Sequence, residues 1–337
     1  MNTKLTKGPL NKISDVPGVT VGHCTISDDL HKTGVTVLFP CRENPFFHKL
    51  PAASFVLNGF GKTAGLVQID ELGQLETPIA LTNTMNVGLV WDTMTEYMIR
   101  CCREEGHELR SVNPVVCECN DATLNRIQDR VVRGEHVRSA INDACVNFME
   151  GAVGAGTGMI CHDLKGGIGS ASRQFELDGV IYTFGVLVLT NHGCLSDLTI
   201  NGKPIGGELA KKLNRHEPDK GSCIIIAATD LPLDSRQLGR VAKRLSVGLA
   251  RLGSYIGHGS GEVFIAFSTA NCWDFRDPAS VRQGTFFSED KMDIPFRAAA
   301  ECTEDAVLKS MLLSHTATGW KGDVIHGLTD VCPELNI

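Results

Sequence analysis

The sequence of 337 residues has no apolar run long enough to span a bilayer. Its first residues, MNTKLTKGPLNK, carry no apolar core of the kind an export signal needs. A soluble, cytoplasmic protein with no membrane partner is the expectation. Positive charge is also short: Lys and Arg number 32 against 39 Asp and Glu, a formal net charge of −7. No basic stripe gathers along the chain, so no nucleic-acid partner is expected. Cysteine is plentiful at 13, yet no C-x-x-C pair occurs, only Cys101–Cys102 and the near pair Cys117 and Cys119. Zinc and disulfide frameworks are therefore not expected, and the thiols read as buried groups in a reducing compartment. No internal repeat is present.

Two nucleotide motifs are lacking as well. Gly61-Lys62-Thr63 invites a phosphate-loop reading, but the loop's first glycine would fall on Val56. The run Gly151 to Gly158 resembles a dinucleotide fingerprint, but Met159 stands where its last glycine is required. Close backbone approach, to another segment or to substrate, is the remaining use for those glycines.

What is there is a large apolar fraction, 42%, enough for a sizeable core in one domain or two. Alternation marks a strand at Thr33 to Pro40, and strand-like segments lie at Pro78 to Thr82, Val115 to Asp121 with its polar end, Val180 to Leu189 and the apolar run Ile224 to Ala228. Helical spacing marks Asn86 to Glu105, Ala140 to Glu150, Asp234 to Leu252 and Pro295 to Leu313. Lys165 to Arg173 reads as a polar turn and Asp197 to Gly221 as an exposed polar loop. Cys161 and His162 could be nucleophile and base on paper. Neighbours in a strand face opposite ways, so they are expected to be structural.

The stretch from Gly253 to Asn271, GSYIGHGSGEVFIAFSTAN, is the most informative. A strong amphipathic helix, capped by Asp234 or Ser235, ends at Gly253, and Ser254 follows at the mouth of a buried strand. One reading is a glycine cap, a turn and a core strand. The other is a self-cleaving bond: the Ser254 hydroxyl attacks the Gly253 carbonyl and leaves Ser254 as a new N-terminus. Its α-amine, with a pKa of roughly 8, could then act as the base for its own hydroxyl.

Several long motifs share one resemblance: ISDVPGVTVGH from Ile13, VVCECNDATLN from Val115, GAVGAGTGMICHDLKGGIGSASR from Gly151, YTFGVLVLTNHG from Tyr182, IIIAATDLPL from Ile224, and the stretch at Gly253. In this order they resemble the L-aminopeptidase/D-esterase family, which includes the β-peptidyl aminopeptidases. These are N-terminal-nucleophile-type hydrolases. The resemblance covers nearly the whole chain. It implies an αββα-type layered α/β sandwich in a single domain, cut into fragments 1–253 and 254–337. It implies hydrolysis of short peptides, amides or esters at their N-terminal residue, through an acyl-enzyme on Ser254. No metal or organic cofactor is needed. Tetramers of the cleaved heterodimer are the expected assembly.

The resemblance also assigns roles. Asn191 is the expected oxyanion donor, helped by a backbone N–H of the glycine turn around Gly259, although an Asn before Gly193 also makes a turn. Ser260 is a candidate proton relay. Glu118, odd within an apolar strand, is expected to bind the substrate ammonium; a surface-facing position is the alternative. Trp91 is expected as a wall of the substrate pocket or as a core aromatic. Glu304, after Cys302 and Thr303, either orients the nucleophile or lies on a solvated helix face. The family often has a tyrosine where this chain has Thr123, which puts any phenol contact in doubt. His192 receives no role. An acyltransferase or a pantetheine-type amidase on the same fold is the alternative activity. A binding protein that never cuts itself is the alternative from another class.

Overall fold

A computed structural model describes residues 5–214 and 221–335. The strands run in chain order β1 (Thr6–Lys7), β2 (Thr20–Ser27), β3 (Lys32–Phe39), β4 (His48–Gly59), β5 (Gln74–Leu75), β6 (Ile79–Asn83), β7 (Val115–Cys119), β8 (Ile160–Cys161), β9 (Leu164–Lys165), β10 (Ile168–Leu177), β11 (Val180–Asn191), β12 (Thr199–Ile200), β13 (Lys203–Pro204), β14 (Ser222–Thr229), β15 (Gly261–Ser268) and β16 (Trp273–Asp274). The helices between and after them are α1 (Leu66–Leu72), α2 (Val87–Glu104), α3 (Gly134–Asn142), α4 (Gly206–Leu213), α5 (Ser235–Arg251) and α6 (Asp293–Leu312).

Two sheets result. The larger has the order β1-β10-β11-β14-β15-β4-β16, with β5 added to β4, and the smaller is β2-β3-β6-β7. Side chains alternate between faces along each strand, and the alternation sets the layers. From the larger sheet, Val186, Val188, Ile225 and Phe264 bury against Leu238, Val241, Leu245 and Leu249 of α5 and against Ala298, Ala299 and Val307 of α6. Their neighbours Leu187, Leu189, Ile224, Ile226 and Ile265 face the other way, onto Leu38, Ile79, Leu81, Val115 and Cys117 of the smaller sheet. The outer face of that sheet, with Val35, Val37, Ala80 and Val116, is closed by Val90 and Met94 of α2 and by Val137 and Ala140 of α3. The result is helices, sheet, sheet, helices: the αββα sandwich.

Local signals explain most elements. Asp234 caps α5: its carboxylate accepts from the Gln237 N–H at 2.7 Å, and the Gln237 side chain accepts from the Asp234 N–H at 3.2 Å. α6 is tied to β10 by Arg173, whose guanidinium is fully buried and reaches Asp305 at 3.1 Å and Glu301 at 3.4 Å.

Three expectations need correction. The helix expected over 140–150 lies at Gly134–Asn142, because Cys145 pairs with Val21 through N–H to O bonds of 3.0 and 3.1 Å and draws the chain onto the sheet edge. Lys165 to Arg173 is not a polar turn. From Ile168 it is β10, with small residues paired to β11 from Ile168↔Leu189 onward. The loop expected over 197–221 holds the β12–β13 hairpin and α4; residues 215–220 lie outside the described residues.

Candidate active site

Strand register assembles the site. β14 and β15 are parallel, joined through α5, so the end of α5 returns to the sheet end where both strands begin. At that end Asn191 pairs with Ser222, Ser222 with Gly261, and Gly261 with Gly59, which forms one row across β11, β14, β15 and β4. Residues 252–260 span the gap from α5 to this row.

The span opens with a tight helix terminus. Gly253 has φ +96°, the left-handed region, and donates its N–H to the Ala250 carbonyl at 3.1 Å. The Ser254 N–H donates to the Leu249 carbonyl at 3.2 Å. These two bonds make a Schellman cap with glycine at its left-handed position. Glycine is also required for space: a Cβ there would sit 1.8 Å from the Asp197 carbonyl oxygen. Ser254 is 5% exposed, and its hydroxyl oxygen lies 3.4 Å from the Ile256 N–H. The rest of the span is held by Asn58, whose amide donates to the Gly257 carbonyl at 3.0 Å and to the Ser260 carbonyl. The Ser260 hydroxyl donates to the buried Glu262 carboxylate.

Beside the row lies a cavity of about 490 Å³, lined among others by Lys62, Glu118, Thr123, Asn191, His192 and Gly259. Asn191 is 7% exposed and locked at both ends. Its oxygen accepts from the Ile160 N–H at 3.0 Å, and its NH2 donates to the Asn120 carbonyl at 3.0 Å. A backbone N–H can only donate and a carbonyl can only accept, so the amide orientation is determined. The amide carries a second N–H, a group chemically able to donate to an oxyanion. Glu118, at 3%, reaches the same cavity from β7. One carboxylate oxygen accepts from the Lys62 N–H at 2.9 Å, and the other accepts from the Thr84 hydroxyl. A buried carboxylate with two donors still offers lone pairs to an incoming ammonium. Asp163 and Asp323 add acidic groups to the lining.

The expected residues thus divide. Asn191, Glu118 and Gly259 line one cavity. Ser254 and Ser260 belong to the span beside it and are not among the lining residues of the continuous chain. Trp91 stands on α2, packed against the outer core cluster and away from the cavity lining. Glu304 pairs with Arg251 at 3.0 Å across the α5–α6 interface, with its side chain 13% exposed, and does not line the cavity.

A further group was not expected. Cys161 ends β8, and His162 and Asp163 both have positive φ, +50° and +56°, before β9 begins. Two left-handed central residues define a type I′ hairpin turn, in which Asn-Gly is the usual pair. The turn brings Cys161, His162 and His192 together: one donor atom from each, all within 4.8 Å of one another and all buried. The expectation that Cys161 and His162 are held apart as strand neighbours therefore fails. The His162 Nδ1 lies 2.9 Å from the Cys194 carbonyl, which makes Nδ1 the protonated nitrogen. Gly193 makes room, since a Cβ there would meet the His162 ring at 2.6 Å. Burial and the neighbouring His162 push the His192 pKa down to about 3, so its ring is neutral near pH 7.

Thr84 and Asn58 were not singled out from the sequence, and Lys62 entered only through the rejected phosphate-loop reading. The polar run at the end of β6, Asn83 to Asn86, is the one signal that pointed toward Thr84.

Comparison with known proteins places this site in context. The model of peptidase family S58 matches residues 11–325. A β-peptidyl aminopeptidase, BapA of Sphingosinicella xenopeptidilytica, is 38% identical, over 96% of this chain and 86% of the relative. Among solved structures, the PH0078 protein of Pyrococcus horikoshii OT3 superposes with a TM-score of 0.92 at 43% identity, covering 98% of this chain and 95% of that one. The L-aminopeptidase D-Ala-esterase/amidase of Ochrobactrum anthropi, described as a prototype of the serine aminopeptidases and a variant of the Ntn-hydrolase fold, gives 0.91 at 31% identity, covering 99% and 96%.

Proposed function

The chain belongs to peptidase family S58 and is a hydrolase of the aminopeptidase class, and from that premise we propose that it cuts its own Gly253–Ser254 bond and works with Ser254 as an N-terminal nucleophile. The observation that carries the reading is the junction itself: a left-handed Gly253 with no space for a Cβ, followed by a buried serine whose N–H is fixed on the Leu249 carbonyl.

In the first step the Ser254 hydroxyl adds to the Gly253 carbonyl carbon. The C–N bond breaks, the nitrogen takes the proton, and the chain is held as an ester. Water hydrolyses the ester to a Gly253 carboxylate and a free Ser254 hydroxyl. The new α-amine lies where its N–H already has an acceptor in Leu249. The fragments 1–253 and 254–337 remain one folded domain, because β15 and α6 of the smaller are core elements of the sandwich.

The mature site then takes a short peptide, amide or ester by its free N-terminus. Glu118 binds the ammonium. The Ser254 oxygen attacks the first carbonyl while its α-amine, directly or through Ser260, accepts the proton. The second N–H of Asn191, with a backbone N–H near Gly259, stabilises the oxyanion. The leaving amine takes the proton, and water releases the acyl group. The reading includes a cytoplasmic location and a tetramer of cleaved heterodimers, the latter measurable by light scattering. Among the described residues no helix is long and apolar enough to cross a membrane.

Intact mass and N-terminal sequencing test the core of this. Two fragments are expected, the smaller beginning Ser-Tyr-Ile-Gly. A single full-length chain after long incubation refutes it.

A further inference from the structure

We propose that Cys161, His162 and His192 form a buried site for one divalent cation of the zinc type, open toward the cavity, and that filling it shuts the hydrolase down. The donor set is one thiol and two imidazoles, the ligand types that borderline metals such as zinc prefer. Zinc bonds of about 2.0–2.3 Å at tetrahedral angles put donors about 3.3–3.8 Å apart. The three donors lie within 4.8 Å of one another, so small side-chain rotations close the set.

Three independent features point the same way. His192 is 2% exposed, and neither of its ring nitrogens has a hydrogen-bond partner among the described residues, an expensive arrangement for a buried polar side chain. A metal would supply the missing partner. His162 is oriented through its Nδ1 by the Cys194 carbonyl, the outer-shell contact by which proteins commonly aim a metal-binding imidazole. The turn that carries His162 spends two non-glycine residues in left-handed backbone where Asn-Gly would cost less. Its return is to bring His162 against Cys161 and His192.

On binding, the metal displaces the Cys161 proton to solvent and takes the thiolate. Three protein ligands leave a fourth position open. His192 is itself part of the cavity wall, directly after Asn191. An ion held there places positive charge beside the oxyanion donor and repels the substrate ammonium that Glu118 is read as binding.

The test uses chelator-stripped protein titrated with Co2+, then competed with Zn2+. A thiolate-to-cobalt charge-transfer absorption is expected, saturating at one ion per chain and erased by Zn2+. Cys161→Ser abolishes it, and His192→Asn weakens binding at least tenfold, with circular dichroism confirming that both variants fold. The absence of the band at excess Co2+ overturns the site. So does an unchanged band in both variants, which would move binding to exposed thiols such as Cys145 and Cys272. The regulatory half rests on the hydrolase reading and is read separately: Zn2+ inhibits the wild type, and Cys161→Ser loses that inhibition. Binding without inhibition overturns only that half. A chain that never cuts itself but still yields the band keeps the site and refutes the self-cleavage reading.

Discussion

Replacing Gly253 by Ala tests the junction most directly. The comparison belongs in a Ser254→Ala background, where no cut can confound it. Ser254→Ala keeps both cap bonds, since each comes from a backbone N–H, and is expected to melt close to the wild-type precursor. Adding Gly253→Ala does two things. It places a Cβ on a residue at φ +96°, where the left-handed conformation costs about 1–2 kcal/mol. It also drives that Cβ to 1.8 Å from the Asp197 carbonyl, which forces a backbone shift of the overpacking kind, about 1–3 kcal/mol. A total of about 2–5 kcal/mol is expected. At about 2.1 cal/mol/K per residue, 337 residues give an unfolding entropy near 0.7 kcal/mol/K, so Tm falls by about 3–7 °C. Calorimetry of the two variants reads the difference. With Ser254 restored, Gly253→Ala is expected to slow self-cleavage, followed by intact mass over time. Equal melting temperatures would refute the cap geometry, and equal cleavage rates its part in the reaction.

Other outcomes follow from the same geometry. Asn191→Asp keeps the acceptor for the Ile160 N–H but loses the oxyanion donor; kcat should fall about 10²–10³-fold, with KM nearly unchanged in steady-state assays. Glu118→Gln should raise KM about tenfold, a loss of about 1.4 kcal/mol, for substrates with a free ammonium, while a desamino ester is unaffected; a matching rise for both sinks the ammonium role. Glu304→Gln breaks a pair with Arg251 whose arginine side is exposed, and should cost under about 1 kcal/mol in a melt, with the cleavage rate unchanged; a stalled cut would return Glu304 to the mechanism. His23 is held neutral by burial, its pKa lowered from 6.5 to about 4. Above pH 6.5 both states are neutral and nothing is lost. As pH falls from 6.5 toward 4 only the unfolded chain gains the proton, so stability drops, by up to about 3 kcal/mol. Melts of wild type and His23→Gln across that range should converge at low pH relative to their separation at pH 7.

Much of this was legible in the sequence. The periodicity of Leu238, Val241, Leu245 and Leu249 located α5, and Asp234 marked its start. The layering came with the family resemblance, not with composition. Glu118 was singled out because a carboxylate is unusual within an apolar strand, and Asn191 because an amide at a strand end can donate to an oxyanion, with a turn-forming Asn as the alternative. What stayed hidden has physical reasons. The small residues of β10 carry no apolar alternation, so a buried strand read as a turn. The β8–β9 turn lacks the Asn-Gly signal, so the approach of His162 to His192 was invisible. Trp91 and Glu304 were assigned by position along the chain, and their packing partners in the structure are the outer core and Arg251.

The cap at the end of α5 also bears on what would become of the two termini that the proposed cut creates. In the intact chain the junction is neutral. After the cut α5 would end in a carboxylate, at the pole where its last carbonyls already sum to about half a negative charge. Arg251, the basic residue of that last turn, is already engaged by Glu304. Like charges at that pole repel by about 0.3–1 kcal/mol. The nascent ammonium of Ser254 meets the opposite situation, because the Leu249 carbonyl at the same pole attracts it. The helix dipole would therefore treat the two products of the proposed cut unequally, pushing the glycine end outward and keeping the serine end in place. The same cap that closes a helix in the precursor would hold the nucleophile in the product.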